Sequence, residues 1–144
     1  MRKIAAVFPI LLLLLAVAFG QTANFSGGAI PFHFISSATT NSLQVKTGAG
    51  TLYSVVAAGN TTSPYFLKLY DVAVAPTCGT TVPFHTIEIP GTATVTTGNL
   101  SVVPVFPVGL LLSNGLGICI TANINDTDTT ATPASAVVIN LGFK

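Results

Sequence analysis

The chain has 144 residues, of which 50% are hydrophobic and only 6% charged, enough length for one domain with a real core. Its formal charge of +1 comes without any cluster of Lys and Arg able to displace counterions, which excludes a nucleic-acid surface and a basic patch for an anionic membrane.

The chain opens Met1-Arg2-Lys3, runs almost without a polar atom from Ile4 to Ala18, and ends that run at Ala18-Phe19-Gly20. A basic start, a short apolar stretch and small residues at its end predict a signal peptide over residues 1–20, cut after Gly20. The stretch is short for a membrane span, and Pro9 would disturb a spanning helix; an uncleaved anchor is the rival reading. Removing 20 of 144 residues leaves 124, with Lys46, Lys68 and Lys144 against Asp71, Glu88, Asp126 and Asp128, a net charge of −1.

Residues 21–41 read as a flexible lead-in or arm. Within it Ala29–Ile35 is apolar enough to dock on the domain, with Pro31 pointing to an edge or an extended arm, and Ser36–Asn41 is a polar link. The domain proper is expected over residues 42–144. Ser42–Lys46 alternates with Leu43 and Val45 inward. Thr51–Ala58, the turn residues Gly59–Ser63 and Pro64–Asp71 read as strand, tight turn and returning strand, with Leu67 and Leu69 on one face and Lys68 on the other. Val72–Pro83, with Pro76, Gly79 and Pro83, is too long for a hairpin turn and too proline-rich for a helix, and is expected to cross between sheets.

Phe84–Pro90 sets His85, Ile87 and Ile89 against Phe84, Thr86 and Glu88. Gly91–Asn99 is a Thr-rich loop. Leu100–Phe106, apolar on both faces and broken by Pro104, reads as an edge or bulged strand. Pro107-Val108-Gly109 turns into Leu110–Leu112, and Ser113-Asn114-Gly115 turns again. Leu116–Ile124 points Ile118, Ile120, Ala122 and Ile124 inward and Cys119 outward. After the polar loop Asn125–Pro133, Ala134–Phe143 lines up Val137, Ile139, Leu141 and Phe143. Seven or eight short strands without a helix predict an all-β antiparallel sandwich or jelly roll. The sparse charge leaves strand edges weakly protected, which suits packing into an assembly; the twenty Thr residues would equally solvate a neutral secreted monomer.

Catalytic chemistry has little to work with. His33 and His85 are the two histidines, without a second ligand at metal spacing, and His85 shares a face with Ile87 and Ile89 as a structural His does. A nucleophile elbow is missing. Asn125-Asp126-Thr127-Asp128-Thr129 offers alternating oxygens, but not a calcium loop with its central Gly and final Glu; an Asx-rich turn is the plainer reading. No cofactor is expected. Four triplets, at Asn24, Asn60, Asn99 and Asn125, fit the glycosylation pattern.

Tyr65-Phe66-Leu67-Lys68-Leu69-Tyr70-Asp71 with Ala75-Pro76, then Phe106-Pro107-Val108-Gly109-Leu110, and Asp126-Thr127-Asp128-Thr129-Thr130 recur together in one pattern over roughly residues 42–143. As a set they resemble small β-sandwich proteins encoded among the virion structural genes of tailed bacteriophages and prophages. The resemblance implies a non-enzymatic structural or accessory virion component whose partners are copies of itself or other particle proteins. The leader departs from that pattern, because virions assemble in the cytoplasm. It leaves a second expectation, a secreted β-sandwich that binds a cell surface or glycan, with no membrane contact after cleavage.

The two cysteines, Cys78 and Cys119, are expected to pair if the domain is exported, stapling the Val72–Pro83 connection over the outer face of Leu116–Ile124. Two free thiols are the alternative for a chain assembled in the cytoplasm.

Overall fold

The computed structural model describes residues 28–91, 101–102 and 105–144. The expected signal peptide, nearly all of the lead-in before Gly28, the loop after Gly91 and the residues Val103-Pro104 lie outside the described residues. Nine strands follow in order: β1 (Ile30–Ile35), β2 (Leu43–Thr47), β3 (Gly50–Gly59), β4 (Tyr65–Asp71), β5 (His85–Ile89), β6 (Ser101–Val102), β7 (Val105–Leu112), β8 (Gly115–Thr121) and β9 (Val137–Phe143). β6 and β7 run along the same edge of β3, where Ala57 faces Val102 and Gly50 faces Leu112. They act as one interrupted strand, so the fold has eight strand positions.

Two antiparallel sheets result: a front sheet ordered β1-β9-β3-β6/β7 and a back sheet ordered β2-β8-β4-β5. First pairs with last, second with second-to-last, β3 with β6/β7, and β4 with β5. This is one long antiparallel ribbon, doubled back between β4 and β5 and rolled so that alternate pairs fall in opposite sheets. That order is the jelly roll, an all-β sandwich built of two Greek keys.

Period-two alternation decides which side chains meet between the sheets. From the front sheet come Leu52, Val55 and Ala57 of β3 and, as the sequence predicts, Val137, Ile139, Leu141 and Phe143 of β9. The back sheet contributes Leu67 and Leu69, Ile87 and Ile89, and Leu116, Ile118 and Ile120. β1 is an edge strand, with Phe32 and Phe34 against this core and the chain leaving through a bond from Ser36 N–H to Val137 O at 2.9 Å.

Four sequence expectations are corrected. β3 and β4 do not form a hairpin, for they belong to opposite sheets. The five residues between them, ending in Pro64 without an N–H, span the roughly 10 Å gap between sheets instead of a tight turn. Conversely, the β4–β5 connection does not cross between sheets: it loops out and returns β5 beside β4, with Phe84 N–H on Leu69 O at 2.9 Å. Pro107-Val108-Gly109 is not a turn but a bulge within β7, opposite the register shift between Leu52 and Ser54. Finally, β8 stops at Thr121, leaving Ile124 60% exposed instead of inward.

The corner from β7 to β8 is tight because Asp71, at the end of β4, sits beneath it. Its carboxylate accepts the N–H groups of Ser113 (2.9 Å), Asn114 (2.7 Å) and Gly115 (3.1 Å). The Ser113 and Asn114 donors, against a smaller opposing effect of burial, hold this carboxyl below its ordinary value.

Candidate functional site

The outer face of the back sheet is where the chain places its unusual chemistry. On β4, Lys68 and Tyr70 point outward yet are fully buried; on β8, so is Cys119. Two loops cover them. The first is the β4–β5 connection, fastened by a disulfide between Cys78 and Cys119 whose Cα atoms lie 6.0 Å apart. This is the staple expected from the sequence, and Tyr70 and Val72 pack around it as a second small core. Gly79 shows how close the covering is. With φ at +82°, it lies where an added Cβ would fall 2.9 Å from Thr127 O, on the second loop.

That second loop, between β8 and β9, closes over Lys68. The ammonium donates to Asn125 O at 2.5 Å. Burial lowers the Lys68 pKa, while the charges of Asp128 and Asp126 counteract it. The sequence reading assigned Lys68 correctly to the face opposite Leu67 and Leu69 but gave no sign that this face is roofed. Tyr70 shares the roof: burial first, and Asp126 second, push its phenol up to about 12. Its hydroxyl has no hydrogen-bond partner among the described residues.

Asp128 is the keystone of the loop. It accepts from Asn123 N–H (2.8 Å), the Asn123 side-chain amide (3.2 Å), Thr130 N–H (3.2 Å) and the Thr130 hydroxyl (2.7 Å). This is the Asx-rich turn expected at Asn125–Thr129. Among the described residues no group of three His, Cys, Asp or Glu is placed to hold a metal ion. The positive charge under the loop is the Lys68 ammonium.

Burial opposes ionisation of Asp128, but the bonds from Thr130 and Asn123 outweigh it and draw the carboxyl from 3.8 down to about 2. Because the folded value lies below the unfolded one, the bonds stabilise the fold in full above about pH 4. That contribution is lost as pH falls from 3.8 towards 2, where the unfolded chain binds the extra proton. After discounting for solvent around this partly exposed group, the loss should be about 1 kcal/mol. Urea midpoints measured from pH 5 to pH 2 should fall less steeply in Asp128→Asn than in the native chain; equal slopes would remove Asp128 from this role.

Beside the loop an open groove of about 540 Å³ runs between the β3–β4 link and the β8–β9 loop. Ser63, Pro64 and Phe66 line one wall, and Asn123, Ile124 and Asn125 the other. Its floor is set by Tyr65 and Ala122, which belong to or pack against the core.

The other candidates resolve structurally. His33 lies across from Asn140 on β9, with Nδ1 2.8 Å from Oδ1. His85 shares the face of Ile87 and Ile89, as expected, but stands exposed at the start of its strand and meets the Phe106 ring edge-on at 6.1 Å. Asn60 and Asn125 of the glycosylation triplets are exposed; Asn24 and Asn99 lie outside the described residues. One residue escaped the sequence reading. Asn41, in what reads as a polar link, is 4% exposed with φ at 53°. Its side chain takes Ser37 N–H at 2.7 Å and gives to Thr39 O at 2.7 Å and to the Thr132 hydroxyl. An Asn four residues after a Ser and just before a strand is the faint signal of such a hub.

No protein-family model matches this chain, and no curated protein matches it.

Proposed function

We propose that this chain is a non-enzymatic structural or accessory component of a phage-like virion or other β-rich particle. The observation that carries the reading is the jelly-roll order of its strands, an architecture that recurs in viral capsid domains. The front sheet ends in an edge, β7, that exposes Val108 by 91% and Leu111 by 81%, side chains that contact with neighbouring copies would bury. The histidines and the Asp71 and Asp128 carboxylates serve structural contacts, which leaves little for a reaction. Sedimentation of the chain from Gln21 onward should give a defined oligomer. A monomer at tens of micromolar, about the range in which such contacts should hold, would overturn the assembly reading.

A second reading, a secreted sandwich that binds a cell surface or glycan, is favoured by two observations. The disulfide belongs to an oxidising compartment, and the groove beside the β8–β9 loop has the size of a small-ligand site. Capsid and tail genes next to the coding sequence would support the first reading; secretion or adhesion genes would support the second.

A further inference from the structure

From the geometry of the groove we infer that it binds a neutral saccharide, a deepening that rests on the second reading above. Three features select this ligand class. The first is charge. Although Lys68, Asp126 and Asp128 lie close by, none of them lines the groove. The Lys68 ammonium is turned onto Asn125 O beneath the loop, and both Asp128 oxygens are taken by Asn123 and Thr130. An anionic ligand such as a phosphate or a sialic acid would find no cation to meet it.

The second feature is the pattern of free polar atoms over an apolar surface. Asn123 spends its side-chain N–H on Asp128, which leaves Oδ1 as an acceptor. The Asn125 amide and the Ser63 hydroxyl engage no partner among the described residues. Between them lie Phe66, Pro64 and Ile124, the last 60% exposed. Alternating donors and acceptors above an aromatic and aliphatic wall match the hydroxyl rim and apolar ring face of a sugar. An extended peptide is the poorer fit: it would pair with a free strand edge, and β4 and β8 are both interior strands of their sheet.

The third feature is that the rim is already in place. Asp128 orients Asn123, and Lys68 pins the Asn125 backbone, so little ordering is left for binding to impose.

The test is a titration of the full chain with cellotriose, mannotriose and sialyllactose, followed by NMR of the Asn side-chain amides. A neutral trisaccharide should shift the Asn123 and Asn125 signals, with a dissociation constant on the order of 1 mM, as suits an open groove. Asn125→Ala should weaken it at least tenfold, and Phe66→Ala likewise; Asn140→Ala, on the front sheet, should leave it unchanged. Asn125 is exposed, so its replacement tests the groove even if Phe66→Ala disturbs folding. Neutral-sugar shifts confined to another surface would overturn the groove while sparing the glycan reading. Preference for sialyllactose would overturn the neutral class, and silence with all three sugars would overturn both.

Discussion

Replacing Cys78 and Cys119 together by Ala is expected to cost the domain about 4 kcal/mol, from the chain-entropy estimate for the loop they close. The two residues are 41 apart in sequence, so the oxidised unfolded chain loses much of its freedom. For a domain of this size the midpoint of thermal unfolding should drop by roughly 10–20 °C. The loss should be larger locally than globally. With the bond gone, the β4–β5 connection keeps a Thr77–Thr81 turn and the bonds that Ser42 and the Gln44 amide donate to Pro76 O and Val72 O, none of which reaches its middle over Tyr70. Hydrogen exchange at Lys68 and Tyr70 should therefore quicken before the rest of β4 does. A loss below about 1 kcal/mol would mean that Gly79 and Val72 hold the connection without the bond.

Asn41→Ala is expected to be nearly as damaging, at about 3 kcal/mol. Ala is disfavoured by roughly 1 kcal/mol at a left-handed φ, and the part-buried Ser37 N–H and the buried Thr132 hydroxyl would lose their acceptor and donor, at about 1–3 kcal/mol. Asn41→Gly separates these causes. It relieves the backbone and not the lost bonds, so it should recover about 1 kcal/mol of the deficit. Denaturant unfolding of the two variants side by side gives the answer. Equal losses would assign the whole effect to hydrogen bonding.

Alternation proved a reliable guide to faces and a poor one to partners. The inward residues of β9 and β8 could be read from the sequence because a strand with one buried face must repeat every second residue. Nothing in that period says which sheet a strand joins. Asn60–Pro64 is equally compatible with a hairpin and with a corner, and Val72–Phe84 with a crossing and with an excursion; only the register of β5 and β8 against β4 decides between them. The disulfide was legible because a chain with two cysteines has one possible pairing, and their placement on a loop and an outward position is geometrically consistent. The burial of Lys68 was not legible, because it depends on a loop more than fifty residues away folding back onto β4. Asn41 was hidden for a similar reason: Ser, Thr and Asn in a link look the same whether water or Thr132 satisfies them. For the groove, the sequence placed Ile124 inside, and its exposure was visible only once β8 was seen to end at Thr121.

The position of β9 has a consequence for how the protein is made. It lies between β1 and β3, so the front sheet stays split, β1 on one side and β3 with β6/β7 on the other, until β9 has left the ribosome. Vectorial folding from the N-terminus cannot close this sandwich, since every ladder from β1 to β3 waits for a partner far downstream. The nascent chain therefore keeps its front sheet open until β9 emerges. The back sheet differs: all four of its strands precede β9, so Cys78 and Cys119 can be brought together before the front sheet closes.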